Sequence, residues 1–321
     1  MTSREIPIIV LAGSDPRPAA LPERGRDKHA LGGFKAVDVS IAGRPLIRAV
    51  VDCLAASGWF RPVYVAGPRE VYSGKTGPAT IVDTNGSFGE NVRHAIECVG
   101  PQHPDRPVAF TVCDILPEPG ALAALRAEYG RSAPCDLWFP LVRADQPDRL
   151  GASAWKPAYR IVEHEGDRAS RVLPGHLVIA DVAALRLKFL YRLIDLGYRT
   201  RNRSIDQRRG EMVRGVLADM LYQDLLNVAR LRVPSLTWSV LRASIPASNL
   251  LRRGAITRRQ LEETLRRIMV KRRHRRAHPE RRVCVPIVDA LFLARDIDTE
   301  EEAGELGGTL PDEDAGVGPG C

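Results

Sequence analysis

Six residues, Ile6-Pro7-Ile8-Ile9-Val10-Leu11, run straight into the small pair Ala12-Gly13, and a second apolar run, Pro107 to Cys113, ends on Asp114. Short apolar runs without polar alternation read as strands buried inside a sheet. They point to folds in which helices cover both faces of that sheet. A carboxylate where such a strand emerges stands at the mouth of an open α/β sheet, where ligands bind.

Strand and helix patterns alternate through the first part of the chain. A polar loop from Ser14 to Phe34 is rich in Gly, Pro and Arg. Val37, Val39 and Ile41 alternate with Asp38 and Ser40, the pattern of a short half-exposed strand. Pro45 suits the first turn of a helix whose inner face is Leu46, Ile47, Val50, Val51 and Leu54, with Gly58 placed to end it. Further strands are expected at Val63–Ala66, Ile81–Val82 and Leu137–Val142, and helices from about Gly89 and Gly120. This βαβ rhythm favours a mostly parallel sheet.

Tyr159–Val162 and His176–Ile179 read as strands of a smaller sheet, and Asp181–Leu196 as a helix. Another helix from near Gln207 carries Met212, Val213, Val216, Leu217, Met220 and Leu221 on one stripe. Thr257 with Gln260 makes a capping box for a helix carrying Leu261, Leu265 and Ile268. A strand over Val283–Val288 precedes Asp296-Ile297-Asp298-Thr299, and the acidic, Gly-rich tail has the composition of a disordered segment. The expected organisation is an α/β core over 1–200, a helical basic insertion or cap over 201–282, a returning strand with the acidic motif over 283–300, and a tail over 301–321.

The 321 residues suffice for one large α/β domain with an appendage. No stretch is long and apolar enough to span a bilayer, and the N-terminus lacks the pattern of a signal peptide, so a soluble, cytoplasmic protein is expected. The formal charge of +8 suits either nucleic acid or a phosphate-bearing small substrate. Nucleic acid is the weaker reading, because the basic run Lys271 to Arg276 has no aromatic residues interleaved for base stacking. The six cysteines form no Cys-x-x-Cys pair and read as reduced thiols. Ser73-Gly74-Lys75-Thr76 resembles the tail of a P-loop, but its glycine spacing is wrong. His274 and His278 lie among arginines that repel cations.

Four places can carry chemistry. The turn Leu11-Ala12-Gly13-Ser14 lets backbone amides approach a base or phosphates, and is equally an ordinary tight turn. Lys35 is either a group that neutralises phosphate charge or a solvated lysine. Asp114 is a ligand for Mg2+, which needs one or two carboxylates plus substrate phosphates, or an N-capping aspartate. Asp296 and Asp298 are two apart on an extended segment and point the same way, either into one site or into solvent.

Together these residues resemble a known family. Leu11-Ala12-Gly13, Lys35, and Ile41-Ala42-Gly43-Arg44-Pro45-Leu46-Ile47 are similar to the opening of the GT-A-type nucleotidyltransferases, among them the molybdenum-cofactor guanylyl- and cytidylyltransferase-like proteins. Asn91-Val92-x-x-Ala95-Ile96, the run ending at Asp114, and Asp296-Ile297-Asp298-Thr299 resemble their later motifs. The resemblance implies a Rossmann-like three-layer α/β/α sandwich. It implies transfer of a nucleoside monophosphate from an NTP to a phosphate-bearing acceptor, with Mg2+ and release of pyrophosphate. Leu11, Ala12, Gly13, Ser14, Lys35 and Asn91 would then bind nucleotide, Lys35 and Asp114 would be catalytic, and Asp114, Asp298 and Asp296 would hold the metal. Ser14 replaces the family's second glycine, and the Gly-x-x-Arg-Met loop is absent, with Arg17, Arg24, Arg26 and Lys28 as possible substitutes. Two other readings stand beside it: a GT-A glycosyltransferase using a nucleotide sugar, and a non-catalytic nucleotide-binding relative.

Overall fold

The computed structural model describes residues 5–14, 29, 31–156, 158–199, 220–221, 224–225 and 236–309. The basic loop residues Arg17, Arg24, Arg26 and Lys28 lie outside them, as do Met212, Val213, Val216 and Leu217.

Strand β1 (Ile6–Leu11) lies in the interior of the main sheet. It is followed by α1 (Lys35–Asp38), β2 (Ser40–Ile41), β3 (Arg44–Pro45), α2 (Leu46–Ala56), β4 (Phe60–Gly67), α3 (Arg69–Tyr72), β5 (Thr80–Asp83) and α4 (Phe88–Val99). Then come β6 (Val108–Val112), α5 (Pro119–Ser132), β7 (Cys135–Trp138), β8 (Leu141–Arg143), β9 (Tyr159–Ile161), β10 (Ser170–Pro174), β11 (Leu177–Ala180) and α6 (Leu187–Arg199). The described remainder holds α7 (Leu236–Arg252), α8 (Arg258–Met269), α9 (Arg272–Ala277), β12 (Arg282–Cys284), β13 (Ile287–Val288), α10 (Glu300–Glu305) and β14 (Gly308–Thr309).

The main sheet has seven strands in the order β12-β7-β11-β6-β1-β4-β5. All its pairings are parallel except those of β11, which is antiparallel to both neighbours. The two-residue period of β1 splits its side chains between two layers. Ile6, Ile8 and Val10 join a core with Leu46, Val50, Leu122 and Leu125 of α2 and α5. Ile9 faces the other way, with Tyr64, Ala66 and the α4 residues Ala95 and Val99. The mostly parallel α/β/α sandwich is therefore present. Going from β1, the chain moves outward through β4 and β5, then returns to lay β6 on the opposite side of β1. That reversal opens a crevice beyond the carboxyl ends of β1 and β6, the place where open α/β sheets bind ligands.

Several expectations are corrected. Residues 35–38 form a helix rather than the start of a strand, because Ala36 and Val39, three apart, are both buried. His176–Ile179 does not join a smaller sheet: β11 is inserted between β6 and β7, and its Ile179 and Ala180 are buried. The apolar runs 137–142 and 283–288 each break into two strands. Pro140 and Pro286 sit between them, and β8 and β13 continue together in a second sheet, ordered β13-β8-β10-β9. The helix expected from Asp181 begins at Leu187, since the Asp181 carboxylate accepts from Ala183 and Ala184 N–H in a turn. The tail expected from 301 is ordered through 309: α10 has its own capping box, and β14 pairs with β2. Residues 310–321 lie outside those described.

Helices α7 and α8 pack Leu250, Leu251, Leu261 and Leu265 against a second core containing Leu141, Ile161, Val172 and Val285. The Thr257–Gln260 capping box opens α8. Met220 is helical and buried with Phe189 and Val240, whereas Leu221, expected on the same stripe, is exposed. Among the described residues, no helix is long and apolar enough to cross a membrane. Cys53, Cys98, Cys113, Cys135 and Cys284 are free thiols.

The end of β4 is packed tightly against the turn after β1. A Cβ on Gly67 would lie 2.5 Å from the Ala12 carbonyl oxygen and 2.6 Å from the Tyr72 ring. Gly67→Ala is expected to lower stability by about 1–3 kcal/mol through this overpacking, measured by urea unfolding.

Candidate active site

The turn after β1 is fixed from both neighbouring strands. Ala12 N–H donates to Ala66 O at 2.8 Å, and Cys113 N–H donates to Leu11 O at 3.1 Å. Gly13 and Ser14 follow at the crevice, both half-buried. Asn91, from the first turn of α4, is buried against this turn: a Cβ on Gly13 would sit 3.4 Å from its amide nitrogen. The Asn91 carbonyl oxygen accepts from Gly86 N–H at 2.8 Å, and a Ser87–Glu90 capping box holds the start of the helix.

Asp114 emerges just beyond β6, and the far end of the chain is tied to it. Ile297 N–H donates to the Asp114 carbonyl at 2.7 Å, and the Ile297 side chain is fully buried. With that residue facing the core, the alternating side chains Asp296 and Asp298 turn the other way, toward Asp114. Carboxylate oxygens of Asp114, Asp296 and Asp298 lie within 4.8 Å of one another. Leu31 N–H donates to Asp298 O at 2.9 Å, which brings the end of the long polar loop to the same place.

Two lysines thread the cluster. Lys35 Nζ lies 2.7 Å from Asp298 Oδ1 and 3.1 Å from Asp114 Oδ2, bridging the two acids. Lys156, 8% exposed, lies 2.5 Å from Asp296 Oδ1, 3.2 Å from Glu302 Oε1 and 3.8 Å from Asp298 Oδ2. His176 Nε2 is 3.2 Å from Asp296 Oδ1. Its backbone is held on both sides: its N–H donates to Leu293 O, and its carbonyl accepts from Thr111 Oγ1. Glu302 completes the set from α10, accepting from Asp298 N–H at 2.8 Å and from Ser153 Oγ at 2.6 Å.

The two neighbouring aspartates are driven in opposite directions. Burial and the charge of Asp296 push the Asp298 carboxyl up to about 7, against the pull of Lys35 and Lys156. Burial also pushes Asp296 up, but His176 and Lys156 outweigh it and hold that carboxyl well below the usual range. For Lys35, burial acts downward, yet the charges of Asp114 and Asp298 win and raise it. Four carboxylates thus face two ammonium groups and one imidazole. Excess negative charge, all-oxygen donors and a carboxyl poised near neutrality suit a hard divalent cation.

Of the residues singled out in the sequence, Leu11 to Ser14 and Asn91 lie at the turn after β1, and Lys35, Asp114, Asp296 and Asp298 form the cluster just beyond β6; Arg17, Arg24, Arg26 and Lys28 lie outside the described residues. Lys156, His176 and Glu302 were not anticipated. Glu302 had a signal in the Thr299-x-x-Glu302 capping box. Lys156 and His176 belong to no motif, and only packing reveals them. A second acidic group, Asp136, Asp181 and His274, is filled by Arg281, whose guanidinium lies 2.7 Å from Asp136 and 2.9 Å from Asp181. His274, set aside above as a metal ligand, lies 2.9 Å from Asp136.

Two predictions follow from the charge network. Lys156→Met leaves buried acids without their cation and is expected to lower stability by about 3–5 kcal/mol in denaturant unfolding at neutral pH. Asp298 holds a proton in the folded chain between its unfolded value of about 4 and about 7, so its contribution to stability falls as pH rises through that window. Asp298→Asn is expected to remove this slope, raising the unfolding midpoint relative to the parent more at pH 8 than at pH 4.5. An equal change at both values would contradict it.

No protein-family model and no curated protein matches this chain. Among solved structures, a hypothetical transferase from Thermus thermophilus aligns with 94% of this chain and 100% of its own, at 20% identity and a TM-score of 0.53. CMP:2-keto-3-deoxy-manno-octonic acid synthetase complexed with CTP aligns with 67% of this chain and 86% of its own, at 11% identity and a TM-score of 0.40. HddC from Yersinia pseudotuberculosis complexed with GMP-PN covers 59% of this chain and 79% of its own, at 12% identity and a TM-score of 0.38. The last two likenesses are loose, and the Thermus structure is the one that bears on the fold. The chain shares the Rossmann-like α/β fold of that structure.

Proposed function

We propose that this crevice is the centre of a Mg2+-dependent nucleotidyltransferase that joins a nucleoside monophosphate from an NTP to a phosphate-bearing acceptor. The observation that carries the reading is the convergence of Asp114 and Asp298 on Lys35 Nζ, beside the Ala12–Gly13 turn and Asn91. The nucleotide would lie across the carboxyl ends of β1 and β6, its base against Ala12, Gly13 and Asn91. Asp114 and Asp298 would hold Mg2+, with Asp296 turned toward Lys156 and His176. The metal, when bound, offsets charge on the α-phosphate and on the leaving group. An oxygen of the acceptor phosphate attacks the α-phosphorus in line. A new P–O bond forms, the α–β bridge breaks, and pyrophosphate leaves with the bonding electrons. Lys35 contributes positive charge beside the transferring phosphate, and no covalent enzyme intermediate is required. Lys156 and His176 are positioning residues in this scheme, fixing Asp296 and, through it, the acidic segment.

The test is pyrophosphate release across a set of NTPs and sugar phosphates with Mg2+. Asp114→Asn and Lys35→Gln are each expected to lower turnover by about 100-fold or more. Release of a nucleoside diphosphate from a nucleotide sugar would instead indicate a glycosyltransferase, and tight nucleotide binding without turnover a non-catalytic protein. Because Asp298 carries a proton below about 7, Mg2+ affinity measured by calorimetry should rise up to about tenfold per pH unit and level off above that value. Asp298→Asn should flatten this dependence.

A further inference from the structure

A second concavity lies at the other end of β6. Its volume is about 740 Å³, within the ~300–1,000 Å³ typical of small-molecule sites. It is bounded by Val108 at the start of β6, the last turns of α4, the loop from Asp181 to Arg186 and the first residues of α6. Val108 and Asp114 lie at opposite ends of an extended segment, so roughly 20 Å separates this cavity from the acidic crevice.

The lining pairs an apolar body with uncompensated positive charge. Ile96, Pro104, Val182, Leu187 and Phe189 supply the first, and Arg106, Arg186, Lys188 and Lys271 the second. The acids present are Glu97 and Asp181. Asp181 is already committed: one oxygen accepts from Arg281 at 2.9 Å, and the other from Ala183 and Ala184 N–H at 3.1 and 3.3 Å. Lys271 Nζ donates to Ala183 O at 2.8 Å, which fixes its ammonium at the rim.

Arg186 and Tyr191 are the informative pair. Arg186 N–H donates to Met269 O at 2.8 Å, which anchors the backbone. Among the described residues its Nη1 is buried without a hydrogen-bond partner, and so is the Tyr191 hydroxyl. Burial, then the charge of Arg275, draws the guanidinium down to about 10. Burial, then Glu97, holds the phenol up at about 12, so it remains a donor at neutral pH. Buried donors left unpaired are costly. Both line the cavity, so an anion bound there would offer an acceptor to each.

We propose that this cavity binds a small organic anion, with a phosphate or carboxylate on Arg186 and Tyr191 and an aromatic or branched body against Ile96, Val182 and Phe189. The site is separate from the acidic crevice and does not depend on the reaction assigned to it.

The test is calorimetric titration of the full chain with 1-naphthyl phosphate, 1-naphthol and inorganic phosphate. Saturable binding of the ester at one site per chain is expected, with either fragment alone at least about tenfold weaker. Arg186→Gln should weaken the ester by about tenfold or more, and Tyr191→Phe by several-fold. Both variants remove unpaired polar groups, so their melting temperatures should match or exceed the parent's, separating lost binding from lost fold. Asp114→Asn should leave the affinity unchanged. Absence of saturable binding by the parent overturns the proposal, as does binding that survives Arg186→Gln or is abolished by Asp114→Asn.

Discussion

One backbone hydrogen bond, 2.7 Å from Ile297 N–H to Asp114 O, joins the middle of the chain to its far end. The rest of the acidic crevice is organised around it. With Ile297 driven into the core, the residues on either side have no choice but to face the mouth of the sheet. Lys35 then spans Asp114 and Asp298, Lys156 spans Asp296 and Glu302, and α10 begins where the motif ends. Hydrophobic burial of one side chain thus sets the geometry of the two charged ones beside it.

The network separates two like carboxylates by environment. Asp296 is surrounded by His176 and Lys156 and stays ionised, whereas burial, and then the charge of Asp296, makes Asp298 hold its proton to near neutrality. Such splitting of neighbouring acids is a frequent mark of sites that do chemistry. The protein's positive charge is elsewhere. Residues 258–282 contain eleven Arg and Lys against three Glu, which accounts for the whole formal excess of +8 and leaves the rest of the chain neutral. The basic composition therefore describes this segment and the flank of the second cavity, where burial and then Arg275 depress Arg186, rather than the acidic crevice.

The parts legible in the sequence were those governed by short-range pattern. The apolar run of β1, the inner face of α2, the capping box at Thr257, and the i, i+2 placement of Asp296 and Asp298 all follow from local periodicity. What could not be read depends on partners remote in sequence. β11 gives no local sign that it runs antiparallel between β6 and β7. The breaks at Pro140 and Pro286 were visible as prolines, but their joint step into a second sheet requires knowing that the two strands are neighbours. Lys156 and His176 are an isolated lysine and histidine by sequence. They become part of the site only because β11 and the closing segment bring them to Asp296.

The strand order of the main sheet has a consequence for how the molecule is made. Strands β1, β4 and β6 are complete by residue 112, Lys156 and His176 come later, and Asp296 and Asp298 later still. On the ribosome the central layers can assemble while the cluster still lacks two of its three aspartates. A protein cut between Ala294 and Arg295 would keep β1, β4 and β6 and lose both Asp296 and Asp298, so the acidic cluster is completed only after the strands beside it.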